Sequence, residues 1–349
     1  MTRLALLGAG LIGREHAKLV AAHPGAMLVA VADPSPDAPA YAEAKGLQHF
    51  ADYEAMLDAI RPDAAIVALP NQLHLPAGLA CLGRGIPCLM EKPVADTVAA
   101  ARELAETSEA VGVPVLVGHH RRHSPDIAEA RRLVQDGALG ELVTVSGMCL
   151  FNKHTDYFDA AWRREPGGGP LLINLIHDID SLRFICGEIE SVQAFASSGA
   201  RGFAVEDTAS VTLRFANGAL GTFIISDSVV SPWSWEFTSG QALYFPPQSG
   251  AYLFLGGRTA SLSVSDMRLW RHGKPDGDWR DPVLPEVQEL PATRAYDNQL
   301  DHFLAVAAGR AAPLITARDG MLTLAATLAV AEAARTGGRV DVASMLSVR

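Results

Sequence analysis

Glycines at positions 8, 10 and 13 form the run Gly8-Ala9-Gly10-Leu11-Ile12-Gly13, and Asp33 follows at the spacing, about 20 residues, that a dinucleotide fingerprint needs. The chemistry of that pattern is pyrophosphate binding. Gly8 permits a tight turn, Gly10 lets the backbone approach the phosphates, and Gly13 lets a helix lie close to a strand. A helix opening here would turn its first amides, at Leu11 and Ile12, and its positive dipole end towards the anion. Asp33 would accept from both hydroxyls of a ribose. The stretch Asp33-Pro34-Ser35-Pro36-Asp37 holds no Arg or Lys to neutralise a 2′-phosphate, so NAD is expected and NADP is disfavoured. The competing reading is a structural strand–helix turn that binds no nucleotide.

Such a site needs strands to carry it. Short apolar runs at 4–7, 27–32, 64–68, 87–90 and 113–117 alternate with helical patterns at 14–22, 52–60, 74–84 and 96–111, with Asp96 as N-cap of the last. That alternation predicts a doubly wound parallel sheet, the Rossmann fold. Beyond it a helix at 124–135 precedes a strand at 142–150. Asn217-Gly218 and Gly256-Gly257 then read as hairpin turns, the first between strands 210–215 and 219–226, the second between 251–255 and 259–264. Helical patterns return at 171–185, 298–308 and 318–334. The expected fold class is α/β, with a Rossmann domain over residues 1–122. An α+β domain with a large, mainly antiparallel sheet is expected over 123–349, its last helix able to pack back on the first domain. Stretches 231–250 and 272–291, rich in Pro and Gly, read as loops near an active site or subunit boundary.

Composition narrows the function classes. A chain of 349 residues exceeds what one hydrophobic core usually fills, and 49% hydrophobic content is enough for two. A net charge of −10 with no basic run disfavours nucleic acid and anionic membrane surfaces as partners. Cys81, Cys88, Cys149 and Cys186 show no metal spacing, and neither does His119-His120, so no metal is expected and the thiols should be reduced. The apolar run before Gly13 resembles a short signal peptide but is better read as a strand leading into the glycine turn. A cytoplasmic protein is expected.

Glu91-Lys92-Pro93 falls at the end of one strand and just ahead of a helix. Elsewhere stand Val67-Ala68-Leu69-Pro70-Asn71 with His74, Arg121-Arg122-His123-Ser124-Pro125, Trp162-Arg163, Gly167-Gly168-Gly169 and His177-Asp178-Ile179-Asp180. Together with the glycine turn, these motifs resemble those of the Gfo/Idh/MocA family, named for glucose–fructose oxidoreductase and inositol dehydrogenase, over nearly the whole chain. The resemblance implies that Lys92 lies beside the nicotinamide and the substrate hydroxyl, where a cation stabilises a developing alkoxide. It implies that Leu69, Pro70, Asn71, His74 and Glu91 line the cofactor, with Pro70 and Pro93 stiffening their loops. His177 falls where the family keeps its general acid/base, a role suited to imidazole.

One departure stands out. Family members like inositol dehydrogenase carry an Asp four residues before this His, and here that position is Ile173. Asn174 can supply the orienting bond from a neighbouring helical position, and Asp180 is the alternative. Arg122, His123, His154, Asp156, Tyr157 and Trp162-Arg163 match or adjoin substrate-side loops, and Trp162, Trp233 or Trp235 could stack on a sugar ring. The resemblance thus implies hydride transfer between NAD and a hydroxyl of a sugar, cyclitol or related polyol. Lys92, Arg122, His154, Tyr157, Trp162, Asn174 and His177 would be on the substrate side. A dinucleotide-binding sensor without turnover, and a glycoside hydrolase or epimerase with tightly held NAD, are the alternatives. A homodimer or homotetramer through the C-terminal sheet is also implied.

Overall fold

The structure, a computed structural model, describes residues 1–242 and 244–347. Residues 243, 348 and 349 lie within the expected second domain, and 243 also within the expected 231–250 loop, but outside the described residues. The chain divides into two compact units, one comprising 1–120 and 296–324, the other 121–295 and 325–347.

The first unit is a six-stranded sheet in the order β3-β2-β1-β4-β5-β6, every pairing parallel. In chain order it runs β1 (Thr2–Leu7), α1 (Leu11–Ala22), β2 (Ala26–Ala32), α2 (Ala38–Ala44), β3 (Gln48–Phe50), α3 (Tyr53–Ile60) and β4 (Ala64–Val67). It continues with α4 (His74–Leu82), β5 (Cys88–Met90), α5 (Val98–Val111) and β6 (Val115–Val117). Strands β4, β5 and β6 are buried throughout, as sheets covered by helices on both faces require. All five expected strands form. The sixth, β3, and helix α2 gave no signal, because β3 is three residues long and carries no apolar run. Helix α5 is capped one residue later than expected: Thr97, not Asp96, accepts from the amide of Ala100 at 3.1 Å.

The second unit centres on a nine-stranded sheet. Its chain order is α6 (Pro125–Gln135), β7 (Leu142–Leu150), a π-helical turn (Leu171–Leu175), α7 (Ile176–Cys186), β8 (Ile189–Ser197), β9 (Thr208–Phe215), β10 (Leu220–Ser226) and α8 (Trp235–Thr238). Strands β11 (Leu253–Gly257), β12 (Ser261–Val264), β13 (Arg268–His272) and β14 (Val283–Val287) follow. Helix α9 (Ala295–Ala307), but for its first residue, and the first part of α10 (Ala317–Thr336) belong to the first unit; the rest of α10, β15 (Val340–Asp341) and α11 (Val342–Met345) return to the second. The sheet order is β14-β13-β12-β11-β7-β10-β9-β8-β15, antiparallel except where β7 meets β10. Strand β9 alternates strictly, with Ala209, Val211, Leu213 and Phe215 buried.

Asn217-Gly218 turns the β9–β10 hairpin, with Gly218 at φ +92°. Gly256-Gly257 does not turn. Both lie inside β11, and the reversal falls at 258–260, closed by the Gly257 amide donating to Ala260 at 2.9 Å. The expected loops also hold structure, namely α8 and β14. Among the described residues no helix is long and apolar enough to cross a membrane.

Candidate active site

In the first unit, the C-terminal ends of β1, β2, β4 and β5 carry the residues with cofactor chemistry. Gly8 follows β1 at φ +94°, and a Cβ there would sit 2.4 Å from the carbonyl oxygen of Ala68. A Cβ on Gly13 would meet the carbonyl oxygen of Gly8 at 2.1 Å, so strand and helix can approach only as glycines. Around Gly10 no protein atom lies within 4 Å of such a Cβ. The open space stands at the N-terminus of α1, beside the amides of Leu11 and Ile12, and fits a pyrophosphate. Asp33, just past β2, accepts from the Ala9 amide at 2.7 Å and from the Ser35 amide at 2.8 Å, and takes a further bond from the Ser35 hydroxyl. Burial pushes its carboxyl up, but those three bonds outweigh it and hold Asp33 below the usual carboxylate range. The ionised group is fixed and retains acceptor capacity for ribose hydroxyls.

Arg14 is a cation near this corner that the sequence did not single out. Its guanidinium donates to the carbonyl of Ala9 at 2.7 Å, pairs with Asp37 and lies 4.6 Å above the ring of Tyr41. Its charge is therefore already matched by Asp37, in keeping with the preference for an unphosphorylated ribose.

Leu69, Pro70 and Asn71 form the loop after β4, and Glu91, Lys92 and Pro93 the loop after β5. Glu91 is buried, and its carboxylate accepts from His16 Nε2 at 2.8 Å and from the Lys92 amide at 3.2 Å. Burial pushes the Glu91 carboxyl up; His16 and Lys92 pull it down further, and it stays below its ordinary value. His74, expected among the cofactor contacts, is fully buried. Its Nδ1 stands 2.7 Å from the carbonyl oxygen of Pro93 and its Nε2 2.8 Å from that of Leu69. Both polar atoms of the ring face backbone, so a direct cofactor contact is replaced by a bond between two loops. Burial draws its pKa down, with the two carbonyls resisting.

In the second unit, the π-turn and α7 carry Asn174 and His177. π-turns of this kind recur at functional sites. His177 is 9% exposed. The bond that Asn174 makes is to Lys153, whose Nζ donates to its Oδ1 at 3.0 Å, so the expected pairing of Asn174 with His177 is replaced by one with a cation. Lys153 also pairs with Asp227 at 3.3 Å and lies 4.4 Å over the Tyr157 ring. Burial draws its ammonium below the usual lysine range, against the pull of Asp227. Sequence reasoning missed Lys153; the one signal was its position beside His154, immediately after β7. Tyr157 is covered from another side by the Arg163 guanidinium at 4.0 Å, while His154 and Trp162 are exposed, His154 pairing with Asp156.

Arg122, expected on the substrate side, is spent elsewhere. It donates twice to Asp180, at 2.8 and 2.7 Å, both partners buried, and lies 4.9 Å over Phe184. The same pairing engages Asp180, named above as the alternative partner of His177. Arg121 likewise bonds Asp178 at 2.6 Å and Glu236 at 2.5 Å over the face of Trp235, which is 1% exposed and therefore core rather than a sugar platform. Trp233 is half exposed. Among the described residues no group of three His, Cys, Asp or Glu side chains could hold a metal ion.

Comparison with known proteins follows the same division. Residues 2–119 match a family model described as oxidoreductase family, NAD-binding Rossmann fold, and residues 127–239 one described as GFO/IDH/MocA C-terminal domain. An inositol 2-dehydrogenase of Rubrobacter xylanophilus is 35% identical over 280 residues, covering 76% of this chain and 77% of that one. An inositol 2-dehydrogenase of Rhizobium meliloti is 31% identical over 345 residues, 95% of each chain. The crystal structure of the WlbA dehydrogenase from Bordetella pertussis, in complex with NADH and UDP-GlcNAcA, shares the fold at TM-score 0.79 and 23% identity, covering 97% of this chain and 98% of that one.

Proposed function

The chain belongs to the Gfo/Idh/MocA family and is an NAD-binding oxidoreductase, and from that premise we propose that its substrate is a sugar, cyclitol or related polyol, oxidised or reduced at one hydroxyl-bearing carbon. When bound, NAD supplies the acceptor for the hydride. The ammonium of Lys92 holds the hydroxyl oxygen and stabilises the charge that develops on it. The imidazole of His177 removes the hydroxyl proton as the carbonyl forms, and returns it in the reverse direction. With Oδ1 engaged by Lys153, Asn174 has chiefly N–H donors left to steady a neighbour, and as an amide it offers no charged acceptor of the kind a carboxylate would. Tyr157, Trp162 and His154 offer the aromatic and polar groups that a sugar face and its hydroxyls require.

The observation that carries this reading is the loop 91–93, which stands at the same C-terminal end of the parallel sheet as the glycine turn and Asp33. Incubating the purified protein with NAD and a panel of polyols tests it. Absorbance at 340 nm should rise with at least one substrate, and no rise across the panel, with NADH binding verified, would contradict turnover. Ile173 in place of a carboxylate favours one rival, a dinucleotide-binding sensor, which that second result would select.

Residues 1–122 would then serve the cofactor and 123–349 the substrate and oligomerisation. Four buried free thiols support a reducing, cytoplasmic setting, and the net charge of −10 disfavours nucleic acid. The open face of the nine-stranded sheet supports a homodimer or homotetramer. On it Phe195, Ser210, Ile224 and Met148 stand in one cross-strand row and Leu220 and Phe254 in neighbouring rows, with Phe195 72% and Leu220 54% exposed.

A further inference from the structure

Two buried imidazoles grip the loop that carries Lys92. On one side His16, from α1, donates to the Glu91 carboxylate, which also accepts from the Lys92 amide. On the other, His74 opens α4 with its ring between two carbonyl oxygens, Pro93 at 2.7 Å and Leu69 at 2.8 Å. These oxygens belong to the two loops read as cofactor-facing. A backbone carbonyl buried without a donor is unfavourable, and the His74 side chain is fully enclosed, so water cannot take its place there. As an imidazolium the ring donates to both oxygens. As a neutral ring it donates to one of them only.

We propose that His74 is a positioning residue that couples the loop of Pro70 and Asn71 to the loop of Lys92, so that cofactor affinity and the placement of Lys92 depend on one buried ring. The inference deepens the reading above and rests on its assignment of these loops. It differs from a packing role in one respect. A packing role needs only volume, whereas coupling needs an N–H donor at a carbonyl.

The test compares His74→Leu, which keeps bulk without a donor, with His74→Asn and His74→Gln, which place one amide donor near the positions of Nδ1 and Nε2. NADH affinity is read by fluorescence titration, and hydrogen–deuterium exchange of segments 69–73 and 91–95 is read without cofactor. The Leu variant should lose about tenfold or more in NADH affinity and exchange faster in both segments, while at least one amide variant recovers part of each. A folded Leu variant with wild-type affinity and exchange overturns the inference, as do amide variants no better than Leu. If the Leu variant does not fold, the amide variants decide. Each donates to one loop only, so faster exchange in the segment left without a donor supports the coupling, and wild-type exchange in both segments of both variants overturns it. Wild-type protein that fails to bind NADH would instead defeat the functional reading itself, so the two failures are distinguishable.

Discussion

Gly10 and Gly13 stand three residues apart in one turn and should fail differently when a methyl group is added. The Gly13 Cβ would press on backbone at 2.1 Å, so Gly13→Ala should lower the melting temperature sharply or prevent folding. The Gly10 Cβ would enter open space at the helix N-terminus, so Gly10→Ala should fold with a melting temperature near wild type and lose about tenfold or more in NADH affinity. Thermal melts paired with fluorescence titrations check both, and a Gly10→Ala variant that binds NADH normally would move the pyrophosphate elsewhere. Geometry set by local pattern, such as the close approach at Gly8 and Gly13 and the place of Asp33 just past β2, was readable in the sequence. Roles set by a partner distant in the chain were not. Arg122 looks like a ligand group until Asp180, far along the chain, is found against it, and His74 looks like a cofactor contact until Leu69 and Pro93 are found on either side.

At the scale of elements, α7 is buried along its whole length and carries two carboxylates among its apolar residues. Burial pushes the Asp178 carboxyl up to about 7 against the pull of Arg121, with Glu236 adding to the rise. An unfolded Asp titrates near 4, so between about pH 4 and 7 the folded chain keeps a proton that the unfolded chain has lost, and this group erodes stability as pH rises through that window. Asp178→Asn keeps an acceptor for Arg121 and removes the titration. Its melting temperature should therefore fall less than that of wild type between pH 5 and 8, and parallel curves would refute the assignment. Long periodic elements such as α5 and α6 were legible because burial of one face imposes a period. The three-residue β3 and the π-turn at 171–175 were not, because the first has no pattern and the second differs from an α-helix only in which carbonyl each amide meets.

For the molecule as a whole, the open sheet face predicts assembly. Size-exclusion chromatography with light scattering should give two or four times the chain mass of 37.0 kDa, and Ile224→Lys with Phe254→Lys should shift the protein towards monomer while it stays folded. A monomeric wild type would leave that face for another partner. The proposed reaction requires that two groups distant in sequence, the ammonium of Lys92 and the imidazole of His177, act on one hydroxyl. A double-mutant cycle on kcat, using a substrate from the polyol panel, tests it most directly. Lys92→Ala and His177→Ala should each lower kcat by about 10²- to 10⁴-fold, and the double variant should lose much less than the product of the two, because both act on the same step. Losses that multiply in full, or a single variant with wild-type kcat, would rule out a step shared by the two groups.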